Sequence, residues 1–354
     1  MRVGQKVSIK QIAESIPCSP STVSIVLNGS GDRYRIALET QKLIINAARE
    51  MGYVPKASRQ YTHKGAEKKE KISIGLFMGL VDSAPFADML KGLSTFTSFG
   101  EKAVEFCIYP YEPGALCRMR SLLIDNSFDG LIILPTGKDD CKFLQQLALN
   151  KPCVVNSQNI PGWNCVIADR IECGAAVARL FIAKGFKKIG LVTRNTLSES
   201  GMHRTFGFTS TYEKLGPRDA QITIVEDATD GDNGFASMNE LLEKTGETGL
   251  DAVFVTEPNN FSGTVNSLRK NNKTSPDDFA LVVFGNYSDN TVNQCISPSI
   301  TTIGIPVKNM MIDSIELLCH QVEGGILNDV KKVHYPEICF RETCTKPENW
   351  DSIV

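Results

Sequence analysis

Little in this chain points to catalysis. The sequence holds only four histidines, His63, His203, His320 and His334, and they stand far apart. No serine occupies a GxSxG elbow and no GxxxxGK[ST] phosphate loop occurs. The eleven cysteines are an odd number, with no CxxC pair and no CxxC…HxxxH spacing. That argues against a disulfide framework and against a structural zinc site. Most of them sit in apolar runs such as VEFCIY and PEICF, where cysteine serves as a small hydrophobe, a usage that fits a reducing cytoplasm. Long apolar runs are also missing: none approaches the roughly 20 residues that span a bilayer. The opening MRVGQKVSIKQ has no apolar stretch of the kind a secretory signal needs. DATDGD (227–232) looks like a calcium loop but lacks the closing glutamate, so a polar turn is the better reading. The expectation is a cytoplasmic protein that is not an enzyme, with no cofactor, no metal and no membrane span.

What is present is unevenly distributed charge. The chain of 354 residues is nearly balanced, with Lys+Arg 38 against Asp+Glu 40 and a net charge of -2. Residues 1–65 nevertheless carry ten basic and four acidic side chains, which leaves the remainder clearly acidic. A basic head on an acidic body suits a polyanion-binding module joined to a partner domain that does not itself bind DNA. The length allows two or three domains.

The stretch from Ser8 to Asn28, SIKQIAESIPCSPSTVSIVLN, reads as two short helices and a tight turn. Ile9, Ile12, Ala13 and Ile16 share one helical face, and Ser8 with Gln11 has capping-box spacing. Pro17-Cys18 breaks that helix, Ser19 offers a new N-cap, and Pro20 takes the first helical position, where its missing N–H costs nothing. Val23, Val26 and Leu27 form the inner face of the second helix and leave Pro20, Ser21, Ser24 and Ile25 on the other side. Spacing alone also fits an ordinary helical hairpin. A third helix, roughly Leu38 to Met51, carries an apolar stripe of Ile44, Ala47, Ala48 and Met51. Such a small core is marginal alone. Tyr53 to Lys71 reads as a linker that ends in the charge run AEKKEK.

From Lys71 onward, short apolar runs alternate with helical stretches. The strand candidates are 72–78, 103–109, 130–135 and 152–156, followed by 188–193, 222–227, 252–256 and 280–286. Near-continuous apolar strands separated by helices predict parallel sheets covered on both faces, in two successive α/β halves. Ligands of such sheets bind outside the carboxyl ends of the strands.

IKQIAESI, SPSTVSIVLNG and LETQKLIINAAREMGYVP closely resemble the DNA-binding headpiece of the LacI/GalR family of transcription regulators. CVIADRIECGAAVARLFIAKGFKKIGLV, HRTFGF, LDAVFV, PSITTIGIPVKNMMIDSIELL and PEICFRET resemble the family's sensor region. The resemblance implies an all-α helix-turn-helix headpiece at 1–55, a hinge at 56–71, and a two-lobed α/β sensor of the periplasmic-binding-protein type (type I) at 72–354. It puts the first lobe at about 72–168 plus 300–325 and the second at about 169–299 plus 326–354.

The resemblance also implies a homodimeric, operator-binding regulator, in most cases a repressor, modulated by a carbohydrate-like molecule held between the lobes. An activator or an effector-independent regulator of the same family, or a solute-binding receptor, are the alternatives. Carried over residue by residue, base contacts fall on Pro20, Ser21 and Ile25, and phosphate contacts on Ser19, Thr22, Ser24, Asn28 and Thr40. Ile25 stands where many relatives have arginine, so it offers only apolar contact, for example to a thymine methyl. The hinge residues are Lys56, Ala57, Arg59 and Tyr61, with Tyr61-Thr62 where a minor-groove leucine is expected. Effector contacts fall on Phe86, Gln158, Asp169, Ser198, Ser200, Asn286 and Arg204, the last within R204-T-F-G-F208. Relatives often carry a cleft aspartate where this chain has Gly285, which removes the carboxylate a sugar usually wants.

Overall fold

The computed structural model describes residues 7–27, 31, 34–51, 53, 71–80, 86–194, 199–227, 234–246, 249–285, 297–324 and 329–352. Its contacts divide the chain into two units, Met1–Ile167 with Lys308–Lys332 and Ala168–Val307 with Val333–Val354.

The first unit begins with three helices, α1 (Ile9–Ser15), α2 (Pro20–Leu27) and α3 (Leu38–Glu50). They enclose a small core of Ile12, Val23, Val26, Leu27, Ile44, Ile45 and Ala48. The spacing-based stripe of the second helix is the buried one, and Ile45 joins Ile44 and Ala48 on the third. A seven-stranded sheet follows: β1 (Lys71–Gly79), β2 (Ser98–Phe99), β3 (Lys102–Tyr111), β4 (Gly130–Leu134), β5 (Cys153–Asn156), β6 (Asn164–Ala168) and the edge strand β12 (Lys331–His334). The order is β12-β6-β5-β4-β1-β3-β2. β1 pairs parallel with β3 and β4, and β4, β5 and β6 continue parallel. Phe77, Leu131, Ile133, Val155 and Trp163 build the core on one side, with α4 (Phe86–Thr95), α5 (Arg120–Ile124) and α6 (Gly137–Gln146) as the helices of this half. The long α11 (Val307–Val322) sends Ser314 to Asn156 at the end of β5, at 2.8 Å.

The second unit repeats the plan. Its strands are β7 (Lys188–Arg194), β8 (Gln221–Asp227), β9 (Ala252–Val255), β10 (Ala280–Phe284), β11 (Thr301–Gly304) and β13 (Glu337–Cys339). Their order is β13-β11-β10-β9-β7-β8, parallel except for β13. The helices are α7 (Arg170–Ala183), α8 (Glu199–Leu215), α9 (Phe235–Thr245) and α10 (Phe261–Lys270). Two apolar clusters cover the sheet, one around Phe181, Phe208 and Phe254 and one around Val192, Leu241 and Val283. In the first unit β3 and β4 flank β1, and in the second β8 and β9 flank β7, so the winding of each sheet reverses, at β1/β4 and at β7/β9. That reversal is the topological switch point of a doubly wound sheet.

One boundary needs correction. The chain was expected to return to the first lobe near residue 300, but it does so at Val307/Lys308. The reason is that β11 pairs parallel with β10 and antiparallel with β13, and so completes the second sheet. Conversely, residues 329–332 go with the first unit, where the Val330 amide donates to Asn164 Oδ1 at 2.8 Å. No helix among the described residues is long and apolar enough to cross a membrane.

Candidate nucleic-acid interface and ligand wall

The headpiece geometry follows from its caps. The Gln11 amide donates to Ser8 Oγ at 3.3 Å, and the Ser8 amide donates to Gln11 Oε1 at 2.8 Å, a complete capping box on α1. Ser19 caps α2 in turn: its Oγ accepts the Thr22 amide at 3.1 Å and lies 2.8 Å from Thr22 Oγ1. Pro20 and Ser21 are exposed at the start of α2, Ile25 is half-buried one turn on, and Val23, Val26 and Leu27 turn inward. Ser24 and Thr40 are half-buried. The expected phosphate ligands Ser19 and Thr22 are thus partly engaged in capping. Asn28, Lys56, Ala57, Arg59 and Tyr61 lie outside the described residues. Asn150 of the first unit donates from Nδ2 to the Leu27 carbonyl at 3.1 Å, at the end of α2, and Ala148 packs against the three-helix core.

In the first unit, Phe86 opens α4 beyond the carboxyl end of β1 and is 41% exposed. Gln158, just after β5, is half-buried. Near the same end of the sheet, fully buried Asp140 accepts the amides of Leu116 at 2.9 Å and Thr136 at 2.9 Å, the Thr136 hydroxyl at 2.9 Å, and the Tyr111 hydroxyl at 3.1 Å. Burial, reinforced by the Asp140 carboxylate, pushes the Tyr111 phenol far above its ordinary value, so it stays a donor.

In the second unit, Arg204 sits on the second turn of α8 and is only 3% exposed. Its Nε donates to the Thr256 carbonyl at 2.6 Å, its Nη2 to Glu257 Oε1 at 2.5 Å, and its guanidinium lies 3.9 Å over the Phe284 ring. One side chain thus ties α8, the residues after β9 and the end of β10 together. The R-x-x-G-F spacing has a physical basis. A Cβ on Gly207 would overlap the Ile171 carbonyl, and one on Gly174 would overlap the Arg204 carbonyl, so α7 and α8 touch backbone to backbone. Phe208 then fills the core against Phe181 and Phe254. Arg204 is expected to grip a ligand; in this structure Nε and Nη2 are engaged inside the unit, and no described residue accepts from Nη1. Asp169, also expected at the effector, is the N-cap of α7, its Oδ1 accepting the Glu172 amide at 2.9 Å. Ser200 is half-buried in the first turn of α8. Ser198 and Asn286 lie outside the described residues.

Glu257 is the residue the sequence did not single out. It is 8% exposed, it carries the charge opposite to Arg204, and Gly201 makes room for it, since a Cβ there would overlap its Oε1. A cavity of about 350 Å³, lined by Lys184, Asp251, Asp278 and Thr343 among others, lies at the opposite, amino end of β9 and β10, away from this cluster. Among the described residues, no group of three or more histidines, cysteines, aspartates or glutamates is placed to hold a metal.

Residues 178–344 match the periplasmic binding protein-like domain family. The NTD biosynthesis operon regulator NtdR of Bacillus subtilis (strain 168) is 23% identical over 340 residues, covering 95% of this chain and 99% of that protein. A structure described as a transcriptional regulator CelR-cellobiose complex superposes with a TM-score of 0.62 at 21% identity, covering 96% of this chain and all of that one. The lac repressor dimer bound to operator and an anti-inducer gives a TM-score of 0.62 at 17% identity over 97% of this chain and all of that one. A capped helix-turn-helix precedes two doubly wound sheets, and over nearly its whole length the chain is similar to curated transcription regulators of the LacI/GalR type.

Proposed function

We propose that this chain is a sequence-specific DNA-binding repressor whose operator affinity is set by a small molecule. The observation that carries the reading is α2. It is a short helix capped by Ser19, packed by Val23, Val26 and Leu27 on a first helix, with Pro20 and Ser21 outward, in a basic segment of an acidic chain. Such a helix is the shape that docks in a major groove beside its partner helix. Pro20, Ser21 and Ile25 then meet base edges, while Ser19, Thr22, Ser24, Asn28 and Thr40 meet phosphates and fix the register. Lys56, Ala57, Arg59 and Tyr61 form the hinge, with Tyr61 as the minor-groove group.

The protein works as a homodimer on a pseudo-palindromic site, since two identical headpieces on a two-fold read two half-sites. The ligand-facing groups are Arg204, Ser198, Ser200, Asp169 and Asn286 on the second unit and Phe86 and Gln158 on the first. A carbohydrate-like ligand is supported by the CelR relative, whose structure is described with cellobiose. The reading is of a cytoplasmic regulator and not of an enzyme, in line with the curated relatives, which are regulators. Gel retardation with the chain's own promoter region tests it: retardation that survives an excess of unrelated DNA at moderate salt is expected, and its absence sinks the proposal.

A further inference from the structure

We infer that Glu257 is the ligand-reading carboxylate of this chain and that it makes the second sheet's wall accept uncharged, hydroxyl-bearing ligands and reject anionic ones. The inference rests on the reading of an effector-bound regulator above and names the ligand chemistry of that site.

Position comes first. β7 and β9 are the neighbours at which the second sheet reverses direction. Arg204 lies on the helix that leaves β7, and Glu257 lies two residues past the end of β9. Both therefore stand at the carboxyl ends of the strands, at the switch point where ligands of such sheets bind. Register then places Glu257 beside a glycine. β9 and β10 run parallel with Val255 opposite Val283. Counting on two residues in the same register sets Glu257 beside Gly285, and positions two apart on a strand share a face. Gly285 has no side chain, so it puts none beside the Glu257 carboxylate.

Charge decides what this wall can take. Arg204 spends Nε on the Thr256 carbonyl, Nη2 on Glu257 and its face on Phe284. No described residue takes a hydrogen bond from its Nη1, and none donates to Glu257 Oε2. The pair is therefore neutral as a unit and offers the Nη1 N–H donors beside the Oε2 acceptor. A hydroxyl both donates and accepts, so it satisfies both sides. An anion has to approach a nearly buried carboxylate of like sign, and it gains little from an arginine already neutralised.

The test uses the full-length protein, with thermal-shift titration followed by calorimetry. The anionic probes are inorganic phosphate, gluconate and glucose 6-phosphate. The uncharged probes are glucose, ribose and cellobiose. No saturable stabilisation of the wild type by an anionic probe is expected. Glu257→Gln should create saturable phosphate or gluconate binding by releasing Arg204, and Arg204→Met in that background should abolish it. Any uncharged probe that binds the wild type should bind Glu257→Gln about ten- to a hundredfold more weakly, the loss expected for a hydrogen bond to a charged group. Saturable anion binding by the wild type, or a folded Glu257→Gln that gains none, overturns the inference. If Glu257→Gln does not fold, the wild-type titrations alone decide. A protein that shows this anion pattern but retards no promoter DNA would sink the regulator reading and leave the ligand wall standing, while the reverse result would do the opposite.

Discussion

The two sheets share one strand plan and differ in what they hold at the switch point. In the second unit the reversal between β7 and β9 carries an ion pair, Arg204–Glu257, whose outer atoms have no described partner. In the first unit the matching reversal, between β1 and β4, is followed by Thr136 and the Asp140 network, in which the carboxylate meets five donor groups of its own chain. One carboxylate is saturated and structural; the other has an oxygen to spare. The topology dictates where a ligand can sit, and the side chains after β4 and β9 decide whether anything is offered to it.

The largest loss is expected at a glycine. Gly207→Ala should prevent α7 and α8 from meeting, because the added Cβ runs into the Ile171 backbone. Backbone cannot yield as a side chain does, so a loss of several kcal/mol is expected, at about the upper end for single substitutions. In the first unit, Gly92→Ala meets the Lys308 carbonyl at 2.9 Å and Met311 Cβ at 2.9 Å, a milder overlap. Chemical denaturation of the two variants should rank them in that order, and equal losses would refute the backbone-contact account.

Asp140→Ala comes next. It orphans the amides of Leu116 and Thr136, which are held at 2.9 Å each, inside the first unit. Unsatisfied buried donors cost about 1–3 kcal/mol each, so a fall in melting temperature is expected with ligand affinity kept in whatever fraction stays folded. If Asp140→Ala instead abolishes ligand binding at unchanged stability, then the first unit's carboxylate is also a ligand group and the contrast fails.

A subtler contrast lies in the thiols. Burial pushes Cys173 and Cys319 up to about 12 and Cys344 up to about 11, whereas Cys107 and Cys117 are exposed. The thiolate is the reactive form, so a maleimide should label Cys107 and Cys117 well before the three buried positions in the native protein. Early labelling of Cys173 would show that the α7–α8 seam opens.

How far the sequence reveals all this depends on the range of the interaction. Capping at Ser8 and Ser19, the inner face of α2 and the eight main strands are local patterns, and each stands within a few residues of its expected place. The short strands β2, β12 and β13 have no periodicity to find, because they are edge pieces of two to four residues whose existence depends on a neighbour. Glu257 was invisible for a similar reason. It meets Arg204 across 53 residues of chain, through the order of three strands, and in the sequence it is one glutamate in VTEPNN. Asp169 misled in the opposite direction: the family position suggested a ligand, while an aspartate directly before a helix is equally the residue that caps it.

The smallest expected effects concern the three-helix headpiece. Ile25 is half-buried with an apolar tip, so Ile25→Arg should add a guanine-directed contact and change the preferred operator in a binding-site selection, by about 1–3 kcal/mol at the affected base pair. A uniform rise in affinity across sequences would show that the new arginine meets only phosphate. Asn150→Ala is gentler still. It removes a single 3.1 Å bond from the first unit to the Leu27 carbonyl at the end of α2. A partly exposed neutral hydrogen bond contributes about 0.5–1.5 kcal/mol net, so the global melting temperature should barely move. Hydrogen exchange at the last turn of α2 should nonetheless quicken, because the Leu27 carbonyl loses its partner and only packing such as that of Ala148 is left between this loop and the headpiece core. If exchange there is unchanged while Ile25→Arg still alters the operator, the headpiece reads DNA without reference to the Asn150 contact, and coupling to the body must run through the hinge.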